Sequence, residues 1–234
     1  KNLKFKIDAQ ITPSRYAFIF HNGLSFGAND ATANLNSAIS MQQQFNGLNF
    51  DQANTEALKK RLVVATPAEF MQHYRNVNEA LQGRSVLYDA SGYLIERKRL
   101  ENYANNLNHN SWVSLNSRFV KEQEKDTGFL GLDLVTINGL DKEGKPILKR
   151  EPLQPCLEED CIADLESLNL QGFPTKKSPV EKYEPGKNIN WFSPLENCVA
   201  WFYANSVWAG LNCDGDPRGS GSSLGVFSVA LRAT

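Results

Sequence analysis

Val199-Ala-Trp-Phe-Tyr-Ala-Asn-Ser-Val-Trp-Ala-Gly-Leu-Asn-Cys-Asp-Gly-Asp-Pro-Arg-Gly-Ser-Gly-Ser-Ser-Leu-Gly-Val-Phe-Ser-Val-Ala-Leu231 is the stretch on which the fold turns. Val199 to Tyr203 and Leu224 to Leu231 are rich in branched and aromatic side chains, as strands are, and the segment between them is punctuated by glycine, proline and serine. Apolar Phe202, Ala204, Ala209, Leu211, Leu224, Val226 and Val229 are interleaved with Asn205, Asn212, Asp214, Asp216, Arg218, Ser220, Gly221, Ser222 and Ser223. A wholly buried sheet also excludes charge, but it does not carry so many small polar residues. The pattern is that of a regular scaffold with unconstrained residues set between fixed ones.

Composition sharpens the contrast. Lys, Glu, Gln and Met occupy 42 of the first 196 positions and none of the 38 from Asn197 to Thr234. At the upstream frequency such an absence has a chance on the order of one in ten thousand. A coding rule accounts for it. An Asn codon AAC or AAT mutated only at its adenines reaches fifteen amino-acid types, but never Lys, Glu, Gln, Met or Trp. Trp201 needs a different starting codon, such as AGG, and Trp208 is then a fixed residue.

This tail resembles the variable region of diversity-generating retroelement variable proteins, and is most similar to the archaeal, nanoarchaeal-type subgroup. The residues that carry the resemblance are Val199-Ala200, Phe202, Ala204, Ser206, Ala209, Leu211, Cys213, Pro217, Ser220 and Leu224-Gly225-Val226-Phe227. A weaker likeness extends upstream to Trp112–Phe119, Cys161–Leu165 and 170–178. The resemblance implies a C-type lectin fold over residues 1–234, with the variable region 197–234 on its ligand-binding face. It implies that Trp201, Tyr203, Asn205, Val207, Asn212, Asp214, Gly215, Asp216, Arg218, Gly219, Gly221, Ser222 and Ser223 form the binding site. The implied activity is recognition of a protein or cell-surface molecule, without catalytic residues, cofactor or metal. Aromatics with few torsions and small polar residues make such a mixture suited to binding.

Outward from the tail, the chain separates into an early helical and a late β-rich part. Thr66-Pro67-Ala68-Glu69 combines a capping threonine, proline at the first helical position and a glutamate that reaches back to the cap. The helix it starts is expected to run to Leu81, with Phe70, Tyr74, Val77 and Leu81 on one face and Gly83 as its stop. A second helix is expected from Leu94 to Leu107. Residues 30–60 are polar and only weakly helical. Leu3 to Ile11 alternates like a strand, expected to pair near the C-terminal one, and further short strands are expected at Trp112–Leu115, Phe129–Ile137, Ile147–Leu148 and Asn188–Phe192. The resulting expectation is an α+β, C-type lectin-like fold of two helices with small twisted antiparallel sheets and long loops. Leu3, Ile7, Phe70, Tyr74, Trp112, Phe202, Leu211, Leu224, Val226 and Val229 are the expected core.

With 25 basic and 26 acidic residues, the chain has no charge excess to attract nucleic acid or an anionic membrane. No apolar run approaches the roughly 20 residues of a membrane helix. A monomer is the expected state, and the compartment stays open between cytosol and the cell surface or exterior. Cys156, Cys161, Cys198 and Cys213 lack zinc-type spacing, and no histidine stands beside them. Buried thiols or structural disulfides are expected instead, Cys156 with Cys161 being the more feasible local bridge. Two other functions compete. A cysteine-dependent oxidase of the sulfatase-modifying type needs a reactive cysteine in a polar pocket. A calcium-dependent lectin needs a dense set of oxygen ligands, and Glu184-Pro185-Gly186 and Trp208-Ala209-Gly210 fall short of the usual sugar-binding signatures.

Overall fold

In a computed structural model of the chain, residues 11–19 and 37–231 are described. The expected strand Leu3–Ile11, with Leu3 and Ile7 in its core face, lies outside them apart from its last residue. The described chain runs β1 (Tyr16–Phe18), β2 (Ser37–Ser40), α1 (Phe50–Lys59), β3 (Val63–Val64), α2 (Pro67–Leu81), α3 (Arg97–His109), β4 (Ser111–Lys121), β5 (Leu132–Leu140) and β6 (Pro146–Pro152). It continues through β7 (Cys161–Asp164), β8 (Asn188–Phe192), β9 (Val199–Ala204), β10 (Ala209–Gly215) and β11 (Ser228–Leu231).

The expectation of a C-type lectin-like α+β fold, two helices against small antiparallel sheets, is corrected. Among the described residues the structure is mostly β, about 34% strand against 22% helix, with three α-helices. Its main sheet has seven strands in the order β6-β5-β4-β9-β10-β8-β7, and a second, antiparallel sheet has the order β1-β2-β11-β3. The seven-stranded sheet is mixed because β10 runs parallel to β8, with Leu211 opposite Trp191. The excess of strand arises where alternation in the sequence is broken. β4 continues to Lys121 through Asn116, Ser117 and Arg118, and β6 is exposed along nearly its whole length, so no apolar face announces it.

Local grammar explains the helices. Thr66 accepts a bond from the Glu69 amide at 3.3 Å while the Glu69 carboxylate takes the Thr66 amide at 2.9 Å, closing the expected capping box on α2. Helix α1 has the same device, built from Asn49 and Gln52. The expected second helix starts three residues late, as α3 at Arg97, and ends at His109.

Helices α2 and α3 cover one side of the seven-stranded sheet. Phe70 and Tyr74 of α2 meet Phe202 of β9 with ring centroids 4.8 and 4.9 Å apart, and Phe70 also meets Phe227 at 5.4 Å. Phe173, Trp191, Leu211 and Cys213 extend this core toward β7. Beneath the four-stranded sheet, Tyr16, Phe18, Ala38, Val64, Val226 and Ala230 pack with Ala53 and Ala57 of α1. The tail therefore enters both cores, through β9–β10 and through β11. Trp112 departs from the expected core, being 38% exposed on the outer side of β4.

Candidate functional site

Register places the aromatic residues of the tail on one surface. Trp201 and Tyr203 lie two apart on β9, so both point to the side opposite Phe202. Tyr203 pairs with Trp112 of β4 and Gly210 of β10, and Trp201 with Ser114 and Asn212. Across the parallel pairing, Gly210 faces Asn190 and Asn212 faces Phe192. The outer face of four adjacent strands thus carries Trp112, Trp201, Tyr203, Asn212 and Phe192.

Their rings are in contact. Trp112 lies 6.2 Å from Trp201 and 6.0 Å from Tyr203 between centroids, at steep angles. Tyr203 meets Trp208 edge-on at 4.6 Å, and Trp208 reaches Phe192 at 6.4 Å. Glycine makes room for two of these rings. A Cβ at Gly210 would stand 2.6 Å from the Trp208 ring, and one at Gly215 or Gly219 2.8 Å from that of Trp201.

Two turns frame the aromatic band. At the β9–β10 turn, Asn205 Oδ1 accepts the Val207 and Trp208 amides at 2.9 and 3.0 Å, while its Nδ2 donates to the Tyr203 hydroxyl at 2.6 Å. In the loop after β10, Asp216 accepts from the Arg218 amide and from the guanidinium at 3.1 and 3.0 Å. The Arg218 guanidinium holds the Asp216 carboxyl below the ordinary aspartate range. Farther on, Gln43 Nε2 donates to the Trp112 and Ser223 carbonyls at 2.6 and 2.7 Å, and the Gly225 amide to the Trp112 carbonyl at 3.1 Å. These bonds fasten the loop across the start of β4.

Each residue singled out from the sequence has a definite place. Val207, Asp214, Asp216, Arg218, Gly221, Ser222 and Ser223 are exposed, and Trp201, Tyr203, Asn205, Asn212 and Gly219 are half-buried. Gly215 is the exception, buried beneath Trp201 and against the Val199 carbonyl. Of the frame, Val199, Ala200, Phe202, Ala204, Ala209, Leu211, Cys213 and Leu224 to Phe227 are buried, whereas Ser206 and Ser220 are exposed. Sequence reasoning missed Trp112, Phe192 and Trp208 as parts of the surface. Alternation in β4 held the only signal, since Val113 faces inward and Trp112 must then face out.

The cysteines behind this face are all free, Cys156 and Cys161 included. Burial pushes the Cys213 thiol well above its usual range and that of Cys156 to about 12. Cys198 is raised by burial and by the nearby Asp214 and Asp216. A thiol so shifted is not a thiolate at neutral pH. Among the described residues no group of three or more His, Cys, Asp or Glu is placed to hold a metal ion, and no helix is long and apolar enough to cross a membrane.

Comparison with protein-family models, curated proteins and solved structures finds no match.

Proposed function

We propose that the chain is the ligand-binding variable protein of a diversity-generating retroelement. Its binding surface is the outer face of β9 and β10 together with the 205–208 turn and the 216–223 loop. The ligand is a protein or other cell-surface molecule, met by recognition without chemistry. One observation carries this reading: in β9 and β10 the positions free of Lys, Glu, Gln and Met alternate between a buried frame and a solvent-facing set rich in aromatic and small polar residues.

Physical tolerance supports it. Random change at a buried site costs several kcal/mol, whereas most surface changes stay within about 0.5 kcal/mol. Trp112, Trp201, Tyr203 and Trp208 supply the large anchors that dominate interface energies, and Asn, Asp and Ser around them supply hydrogen bonds. The test is a displayed library randomised at Val207, Asn212, Asp214, Arg218, Ser222 and Ser223 and selected against a panel of purified proteins. Most members are expected to keep the parental melting temperature within a few degrees, and some to bind new targets. A library in which most members unfold, or from which no binder emerges, refutes the proposal.

A further inference from the structure

On the helix side of the main sheet, α3 presents a polar stripe. Arg99, Asn102, Tyr103 and Asn106 follow the i, i+3, i+4, i+7 spacing that places residues on one side of a helix. Together with Arg15 and Gln42 they line a cavity of about 430 Å3. Arg15 stands just before β1 and Gln42 just beyond β2. The Met41 amide donates to the Arg15 carbonyl at 2.8 Å, so the two segments are tied together opposite α3.

The chemistry of the lining is one-sided. Arg99 is held in place: its guanidinium donates to the Ser14 carbonyl and lies 3.8 Å from the buried carboxylate of Asp89. Asp89 also accepts the Ser91 and Tyr93 amides at 2.9 and 3.1 Å, which spreads its charge over three partners. The Arg15 guanidinium and the carboxamides of Gln42, Asn102 and Asn106 make no hydrogen bond or ion pair among the described residues. Among the described residues no carboxylate lines the cavity. Tyr103 closes the floor with its ring, its hydroxyl being committed at 2.6 Å to Nε2 of His73, which is wholly buried.

We propose that this cavity is a binding site for a tetrahedral oxyanion, a phosphate or sulfate ester of a small polar molecule. The Arg15 guanidinium can meet such an anion with paired donors, and the donors that Arg99 keeps beyond Ser14, Met41 and Asp89, with three carboxamides, stand beside it. The volume exceeds what one inorganic anion fills, and the Met41 and Tyr103 side chains offer apolar surface for an organic remainder. The site is independent of the aromatic face across the sheet.

The test is a titration of the whole chain, followed by amide and side-chain NMR shifts, with sodium phosphate, sulfate, acetate and chloride at matched ionic strength. Saturable shifts confined to Arg15, Gln42, Arg99, Asn102 and Asn106 are expected with phosphate and sulfate, and the tighter of the two names the ester. Arg15→Gln is expected to weaken binding at least about 10-fold, the loss of one charge-assisted bond, with an unchanged melting temperature because Arg15 is exposed. Asn102→Asp, which adds an opposing charge, is expected to weaken it at least as much. Shifts that do not saturate by about 50 mM, that chloride reproduces or that acetate exceeds, or binding unaltered in Arg15→Gln, would overturn the proposal.

Discussion

The indole of Trp201 fills the space that a side chain at Gly219 would need, with Cζ2 and Cη2 both 2.8 Å from the position of a Cβ there. Gly215 stands in the same relation to the other end of the ring, its Cβ position 2.8 Å from Cδ2. Three positions of the tail are therefore coupled: a large ring at 201 favours glycine at 215 and 219, and a smaller residue at 201 relieves the ring contact at both while the Val199 carbonyl still crowds position 215.

Gly219→Ala is expected to displace the Trp201 ring and shift the tryptophan emission, at a stability cost of about 1 kcal/mol, since the loop can yield. Gly215→Ala is expected to cost more, about 1–3 kcal/mol, because the Val199 carbonyl, 2.9 Å from the Cβ position, is backbone that cannot swing aside. Adding Trp201→Ala is expected to recover part of the loss in each. Denaturant titration of the single and double variants measures the coupling.

Frame and surface positions are expected to differ sharply. Phe202 is wholly buried between Phe70 and Tyr74, so Phe202→Ala is expected to cost about 3–5 kcal/mol. Val207, 71% exposed in the turn, is expected to tolerate replacement by alanine or serine within about 0.5 kcal/mol. Thermal melts of the two variants check both values.

Asn205 joins the two classes, being half-buried yet holding the turn. Asn205→Ala removes the acceptor of two amides and the donor to the Tyr203 hydroxyl, and is expected to cost about 1–2 kcal/mol. Asn205→Asp keeps the turn bonds and loses only the donor, so it is expected to fall between. Hydrogen exchange of the Val207 and Trp208 amides resolves the local effect.

Single elements are legible where a signal is local, although the fold class is not. The Thr66-Pro67-Ala68-Glu69 cap and the strand read at Val199 to Tyr203 act within one turn or one strand; the cap forms as read and the strand runs one residue further, to Ala204. Helix α1 is not legible, because its buried side consists of Phe50, Ala53, Asn54 and Ala57, too small and polar to stand out as an apolar stripe. The parallel pairing of β10 with β8 joins segments separated by β9, and no local spacing encodes it. At the candidate face, Trp112 read as core because bulk and burial usually go together, whereas register turns it outward to meet Tyr203.

Acid is expected to act through His73. Burial lowers its pKa from 6.5 to about 3, so between those values the unfolded chain binds a proton that the folded chain refuses. Stability is then independent of this group above pH 6.5 and falls as pH drops toward 3, by at most about 1.4 kcal/mol per pH unit. His73→Gln is expected to flatten the slope between pH 6 and 4 by about one proton, read from denaturant midpoints.

The central claim is tested most directly by sequencing the DNA that neighbours the gene for this chain. A second, non-coding copy of the segment for residues 197–234 is expected there, differing from the coding copy only where the second copy carries adenine. The differences are expected to fall in codons for solvent-facing positions such as Tyr203, Asn212, Asp214 and Ser222, and to spare Phe202, Leu211 and Val226. A locus with no such copy and no adjacent reverse-transcriptase gene, or one whose differences ignore adenine and strike the buried frame, would contradict the account.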